Sequence, residues 1–297
     1  MQLSIIICTY NRDKYLPDAL ESIRRQSLDR SKFELIVVNN NSTDQTEAIS
    51  KAFEAANPDI QFVYAVERSQ GLSFARNTGI RLARAPYLSF IDDDAITTPD
   101  YAANIIRHFD QNPQYDALGG KVLPIYPGGI EPAWMTPHQY GLVAKVDRGD
   151  KAGSFGNKYP VGCNMAFRTK VFDEIGMFNV DLTLRNDDKY IFLQMQKHRK
   201  QTLYTPDVVV NHNIDAYRLQ PEYLHKLCTI IGASERIRLR QEAWYKTVLK
   251  PMEYAIKFGA SLLLALPFVL KGQNEKASFL IQVRWTVFVS FFGSMPK

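Results

Sequence analysis

The sequence predicts an α/β protein built on a doubly wound, mostly parallel sheet. Three observations predict it. Apolar runs begin at about residues 3, 33, 60 and 87, a spacing that suits successive strand–helix units. The runs are nearly continuous rather than alternating, as strands buried on both faces are. Between them apolar residues fall at helical spacing, with Leu16, Leu20 and Ile23 on one face of the first helix.

The elements follow in order. Ser4-Ile5-Ile6-Ile7-Cys8 reads as the first strand, before the helix that carries Leu16. Phe33 to Val38 is the second strand, and a helix follows Asn41-Ser42-Thr43-Asp44. Ile60 to Tyr64 precedes a helix from Gly71 to Arg84, and Tyr87 to Ile91 runs into three aspartates. Open α/β sheets bind ligands beyond the carboxyl ends of their strands. Three loops directly after strands are therefore candidate site positions: Thr9-Tyr10-Asn11-Arg12, Asn39-Asn40-Asn41 and Asp92-Asp93-Asp94.

Composition narrows the class. The 297 residues are 45% hydrophobic and 23% charged, enough apolar material for a large core and too much for disorder. Cys8, Cys163 and Cys228 lie far apart with no C-x-x-C pair, which fits a reducing compartment and argues against structural zinc. The opening Met1-Gln2-Leu3-Ser4-Ile5 has no basic stretch of the kind that begins a secretory signal. The formal charge of +5 is unevenly placed: residues 1–212 carry 24 Lys and Arg against 25 Asp and Glu, and residues 213–297 carry 12 against 6. With no nucleic-acid motif and no basic block in either region, a nucleic-acid partner is not expected. We expect a catalytic domain over 1–212 and a helical, basic and apolar extension over 213–297.

Between Pro124 and Pro160 the chain holds five prolines, six glycines and the rings of Tyr126, Trp134, Tyr140, Phe155 and Tyr159. Such a segment reads as an ordered loop region. Its rings either form a stacking platform for a sugar acceptor or anchor the loop to the body.

Three consecutive carboxylates at the end of an apolar strand call for a compensating cation. Alternation puts Asp92 and Asp94 on one side and Asp93 on the other. Two carboxylates on one side suit Mg2+ or Mn2+, which leave positions open for substrate phosphates. The competing reading is an acidic turn that caps the helix starting near Pro99.

Five segments together resemble family 2 glycosyltransferases with the GT-A fold. They are Ser4 to Arg12, Val37 to Asp44, Gly71 to Gly79, the Phe90-Ile91-Asp92-Asp93-Asp94 strand end with its D-x-D pattern, and Gly162 to Arg168. The resemblance covers roughly residues 3–212. It implies an inverting, non-processive enzyme that moves a sugar from a nucleoside diphosphate donor, and surface polysaccharide or glycolipid assembly as its setting. Thr9, Tyr10 and Arg12 would then lie along the base and ribose. Asn39 stands where the family usually has an aspartate that accepts the N3–H of uracil; its amide can accept that proton and donate to a base carbonyl, so a UDP-sugar is the expected donor. Arg76 would face the diphosphate or hold the aspartate loop, unless it makes only a helix-face ion pair. Asp92 and Asp93 would lie at the ribose side, and Asp94 would bind Mn2+ or Mg2+ with Asp92. His212, after Val208-Val209-Val210-Asn211, would either approach the metal or serve as a structural hydrogen-bonding residue.

The family usually shows Glu-Asp at the start of a helix, where this chain has Arg185-Asn186-Asp187-Asp188. Asp188 aligns with the catalytic base, and Asp187 takes the place of the glutamate. Gln282-Val283-Arg284-Trp285 differs in spacing from the Q-x-x-R-W of processive synthases and does not count as that motif. Two other classes compete with this one. A sugar-phosphate nucleotidyltransferase would favour a glycine-rich phosphate loop after the first strand, and Thr9 to Arg12 contains no glycine. A non-catalytic membrane-associated scaffold would explain the departures at Asn39 and Asp187 but not the retained Asp92, Asp94 and Asp188.

The final third reads as helices. Phe258 to Leu270 is 13 residues without a charge between Lys257 and Lys271, about 20 Å of helix against roughly 30 Å of hydrocarbon. That is short for a span and fits an anchor lying in the membrane interface, or packing on the body, or a homodimer contact. The expected setting is the cytoplasmic face of a membrane, with a glycan or lipid-linked acceptor.

Overall fold

The computed structural model describes residues 1–182 and 186–293. The chain divides into two compact units. The first holds residues 1–125, 144–182 and 187–213. The second holds Tyr126–Val143, Asn186 and residues 214–293. The proline-rich segment is thus divided: Tyr126–Val143 belongs with the C-terminal helices, and its remainder from Ala144 belongs to the first unit.

In the first unit, β1 (Leu3–Thr9) leads to α1 (Leu16–Arg24), β2 (Phe33–Asn39) to α2 (Thr46–Ala56), and β3 (Gln61–Val66) to α3 (Leu72–Leu82). After β4 (Tyr87–Asp92) come β5 (Ala95–Thr97), α4 (Tyr101–Gln111), β6 (Ala117–Ile125) and the short β7 (Gly153–Ser154). The unit ends with β8 (Met165–Arg168), α5 (Val171–Ile175), α6 (Asp187–Lys197) and β9 (Thr202–Asn213). The aspartate turn does not cap a helix: β5 intervenes, and Asp100 occupies the position before α4.

The strands form one sheet in the order β3-β2-β1-β4-β8-β6-β9-β5, with β7 against β9. β1 runs parallel to both β2 and β4, while β8 is antiparallel to β4 and β6. The chain winds outward from β1 in both directions. The switch point therefore lies between β1 and β4, where loops from neighbouring strands part and leave a crevice.

Alternate residues of β1 feed two cores. Leu3, Ile5 and Ile7 pack with Leu16, Leu20 and Ile23 of α1 and Ile105 and Phe109 of α4. Ile6 joins Val38, Phe90 and Phe167 with Ile191, Phe192 and Met195 of α6. Each fully buried aliphatic side chain contributes about 1.5–3 kcal/mol, and the buried Ser4 of β1 is satisfied by donating to Glu34 Oε1 at 2.7 Å. Gly79 lets α3 approach this layer, since a Cβ there would fall 2.5 Å from Ile6 Cγ2.

A bulge positions the end of β9. Gly120 lies opposite Thr205, but Lys121 lies opposite Val209. A Cβ on Gly120 would sit 1.8 Å from the Val208 carbonyl oxygen, so only glycine fits. Asn164 Nδ2 clamps the bulge by donating to the Lys121 and Val208 carbonyls, each at 2.9 Å. Beyond it, His212 comes opposite Ala95 of β5, next to the aspartate turn.

The rings of the proline-rich stretch are packed rather than open. Phe155 meets Tyr204 edge-on, and Tyr159 stacks on Phe192. In the second unit Tyr126, Met135, Val143 and Ile214 form a small core, joined by Trp134 and Tyr140. All five rings therefore make packing contacts within their own unit.

The second unit also contains α7 (Pro221–Glu242), α8 (Trp244–Leu270) and α9 (Asn274–Ser290). Gly232 lets α7 meet α9, because a Cβ there would lie 2.5 Å from the Val287 carbonyl oxygen. The charge-free run from Phe258 is only the second half of α8, which has 27 residues and a length of about 40 Å. By length and composition α8 is long and apolar enough to cross a membrane. Charges do not end the helix at Lys257 because they pair along it, Lys250 with Glu253 at 2.8 Å and Lys257 with Glu253, while Lys246 pairs back to Glu242 of α7 at 2.8 Å.

Candidate active site

The loops after β1 and β2 are stitched together. Asn11 and Asn41 adopt left-handed backbones, with φ of 52° and 62°, a conformation asparagine tolerates. The Asn11 amide donates to Ser42 Oγ at 3.0 Å, and Asn11 Oδ1 accepts from the Thr43 amide at 2.8 Å. Asp44 accepts from the Asp13 and Thr46 amides at 2.9 and 3.1 Å. Burial works against its charge, yet these bonds outweigh it and hold Asp44 below the usual carboxylate range.

Of the residues expected along a nucleotide, Thr9 is buried and Tyr10 exposed. Asn39 has both ends of its amide engaged: Nδ2 donates to Tyr64 Oη and Oδ1 accepts from the Ser42 amide, each at 2.8 Å. These partners take one of two donor hydrogens on Nδ2 and one of two lone pairs on Oδ1, so one of each is left for a base. Asn40 Oδ1 accepts from the Gly71 amide at 2.8 Å and so fixes the start of α3.

Arg12 reaches the aspartate turn rather than open space. Its Nη2 donates to Asp94 Oδ2 at 2.9 Å, and its Nε lies 3.9 Å from Asp93 Oδ1. Asp93 and Asp94 are buried, and Asp92 is partly exposed. Burial, reinforced by the neighbouring Asp94, pushes the Asp93 carboxyl up to about 8. Burial also raises Asp92, against the pull of Arg76.

The expected sharing of a side by Asp92 and Asp94 holds, and His212 joins them. One donor atom from each of the three lies within 4.8 Å of the others. His212 is 3% exposed, and its Nε2 is 3.0 Å from Asp94 Oδ1. Neither ring nitrogen has a hydrogen-bond partner, so the 3.0 Å approach lacks hydrogen-bond geometry. A buried imidazole left in that state is costly, and coordination would satisfy it. Two carboxylates and one imidazole fit a divalent metal such as Mn2+.

Arg76 connects this cluster to α6. It is 2% exposed, its Nη2 lies 3.5 Å from Asp92 Oδ1, and its Nη1 pairs with Asp187. Burial opposes its charge, but Asp187 and Asp92 outweigh that and hold the guanidinium above its ordinary value. Arg76 thus makes buried contacts to both the aspartate turn and the first turn of α6. A Cβ on Gly162 would fall 2.4 Å from Arg76 Nη2, so glycine leaves room for the guanidinium. Cys8 lies in the fields of Arg76 and Asp92, and burial pushes its thiol up to about 12, which excludes a thiolate nucleophile at neutral pH.

α6 begins at Asp187; Arg185 of the sequence motif lies outside the described residues. Asp187 is buried and Asp188 half-buried. Asp188 Oδ1 accepts from the Lys189 amide at 2.6 Å. Both carboxylates sit in the first turn of the helix.

Residues 4–176 match the family described as Glycosyl transferase family 2. The chain belongs to that family. A glucosyl-dolichyl phosphate glucuronosyltransferase of Haloferax volcanii is 25% identical over 249 residues, covering 80% of this chain and 77% of its own. A validoxylamine A glucosyltransferase of Streptomyces hygroscopicus subsp. limoneus is 35% identical over 118 residues, 39% of this chain and 26% of its own. A mannosyltransferase from Pyrobaculum calidifontis, solved with GDP-Man and Mn2+, superposes with a TM-score of 0.68 at 17% identity, over 98% of this chain and 87% of its own. That likeness establishes the GT-A fold.

In this family 2 glycosyltransferase, sequence reading missed Asn11, Asp44 and Gly162 as site builders. Asn11 and Asp44 sit inside motifs already singled out, and an asparagine directly after a strand is itself a signal for a left-handed turn. Gly162 opens another of those segments, but its constraint comes from Arg76, distant in sequence.

Proposed function

We propose that this glycosyltransferase transfers a sugar, with inversion, from a nucleoside diphosphate donor to an acceptor hydroxyl. The observation that carries the reading is the buried continuity from the Asp92–Asp94–His212 cluster through Arg76 to the first turn of α6. Asp94, Asp92 and His212 would hold a divalent ion, Mn2+ or Mg2+, which when bound offsets negative charge on a leaving diphosphate. Arg12 and Arg76 keep the aspartate turn in place. Asp188 takes the proton from the acceptor hydroxyl, and the oxygen attacks the anomeric carbon opposite the leaving group. Asn39 and the stitched loops receive the base, for which a UDP-sugar is our reading.

The acceptor in this reading is a glycan or lipid-linked sugar of surface polysaccharide or glycolipid assembly, met at the cytoplasmic face of a membrane. Two features support it: the name of the Haloferax relative specifies a dolichyl phosphate-linked sugar, and residues 213–297 carry twice as many basic as acidic residues.

The test is a thermal-shift screen of UDP-, GDP- and dTDP-sugars with Mn2+ present, followed by NMR assignment of the product anomer. Stabilisation by a UDP-sugar and an inverted product are expected. Stabilisation by GDP-sugars alone overturns the uridine reading, and a retained anomer overturns the mechanism.

A further inference from the structure

Charge and apolarity are inverted in the helical unit. In water a helix packs its apolar stripe inward and shows its charges. Here Glu235 and Arg238 of α7 are 0% and 4% exposed, bonded to each other at 2.9 Å, and Lys250 of α8 approaches Glu235 at 3.3 Å. The opposite side of α8 carries Tyr245, Val248, Leu249, Met252, Ile256 and Leu263, all exposed, with Ile256 at 72% and Leu263 at 75%. Their spacing of 3, 4, 7, 11 and 18 residues from Tyr245 puts them on one helical face, and none of the charged residues of α8 interrupts it.

From this inverted helix we infer that α8 lies in the plane of an anionic bilayer, its apolar face in the acyl region and its basic flank at the headgroups. The inference deepens the proposed membrane setting of the acceptor and rests on that reading for its purpose, though not for its geometry. Charge selects lipid over a second copy of the chain. Residues 213–297 carry 12 basic and 6 acidic side chains, so two copies would oppose like charges, whereas anionic headgroups complement them. Trp244 and Trp285, 78% and 50% exposed, suit the headgroup boundary.

Lying in the plane wins over crossing on electrostatic grounds. The stretch of α8 free of charge is the 13 residues from Phe258 to Leu270, about 20 Å against a hydrocarbon layer of roughly 30 Å. A crossing would draw Lys257 and Glu253 into hydrocarbon. Lys271 follows α8 directly and Glu275 and Lys276 lie in the first turn of α9, which also opposes insertion tip-first. An in-plane helix leaves all of these at the water boundary.

The experiment is flotation of the full-length protein with vesicles of phosphatidylcholine alone or with phosphatidylglycerol. Wild type should float with the anionic vesicles, and Ile256→Glu with Leu263→Glu should lower the bound fraction about tenfold or more. An environment-sensitive fluorophore on Leu249→Cys, Ile256→Cys or Leu263→Cys should report one common depth by lipid-borne quenchers. Depth that increases along the helix means crossing and overturns the inference. So does a wild type that remains a soluble monomer, or one that forms a dimer and does not float. Donor-induced thermal stabilisation is measured on the same samples: its survival in the double variant separates failure of the membrane surface from failure of the sugar-transfer reading.

Discussion

Arg76 and Asp187, separated by 111 residues, form a buried ion pair that ties α3 to the first turn of α6. Because Arg76 also faces Asp92 at 3.5 Å, one guanidinium sets the distance between the metal-site candidates and the helix that carries Asp188. Truncating it strands buried carboxylates, which costs about 3–5 kcal/mol. Arg76→Ala should therefore lower the melting temperature by roughly 10 °C, as differential scanning calorimetry would show. Arg76→Lys keeps the charge but loses the two-sided reach. It should recover much of the stability while leaving turnover depressed, and full activity in Arg76→Lys would refute the bridging role.

Gly162 offers a milder probe of the same bridge. An alanine methyl would sit 2.4 Å from Arg76 Nη2, and the guanidinium cannot swing aside without leaving Asp187 or Asp92. We expect Gly162→Ala to reduce kcat by about tenfold with a change of only a few degrees in melting temperature. The decisive measurement is a double-mutant cycle with Arg76→Lys. Coupling of about 0.5–3 kcal/mol is expected for residues in contact, and additive effects would mean the methyl acts elsewhere.

The first half of this architecture is legible in the sequence because local order governs it. β1, β2 and β4 are parallel neighbours buried on both faces, with β3 as the half-exposed edge strand, so each announces itself as a mostly apolar run ending in a polar loop. The second half depends on distant partners. β9 spans Thr202–Asn213, yet Pro206 and Asp207 interrupt its pattern, and only Val208 to Asn211 reads as a strand. Gly119-Gly120 resembles a break in β6, but Gly120 is there to let the Val208 carbonyl approach. The same limit applies to the site. Asp92 and Asp94 can be paired by alternation, while the arrival of His212 depends on a bulge that no periodicity reveals. The final third reads as helices, but the length of α8 depends on Lys250 and Lys257 pairing with Glu253, which periodicity alone does not assign.

His212 separates a metal ligand from a structural histidine. Neither of its ring nitrogens has a hydrogen-bond partner, so replacing it with an apolar side chain of similar size removes no bond and relieves a buried polar group. His212→Leu should melt at or above the wild-type temperature without metal. Added Mn2+ should stabilise wild type, by about 2.7 kcal/mol at a hundredfold excess over Kd, and should stabilise the variant far less. A metal-free variant that melts well below wild type, with Mn2+ stabilisation intact, would make His212 structural.

Asp187 and Asp188 are adjacent carboxylates in the first turn of α6, and their burial predicts opposite failures. Asp187 is buried against Arg76, so Asp187→Asn should weaken the fold by breaking that ion pair, with a lowered melting temperature and a partial loss of rate. Asp188 is half-buried and is the proposed base. Asp188→Asn preserves its shape and its acceptor oxygen for the Lys189 amide but cannot take a proton. Its melting temperature and its affinity for the donor should match wild type, while kcat falls by about 10²–10⁴. Isothermal titration with the donor and Mn2+, run beside single-turnover transfer, separates the two effects. If Asp188→Asn turns over normally and Asp187→Asn does not, the base belongs to Asp187, and Arg76 then acts on the proton acceptor directly rather than through the helix.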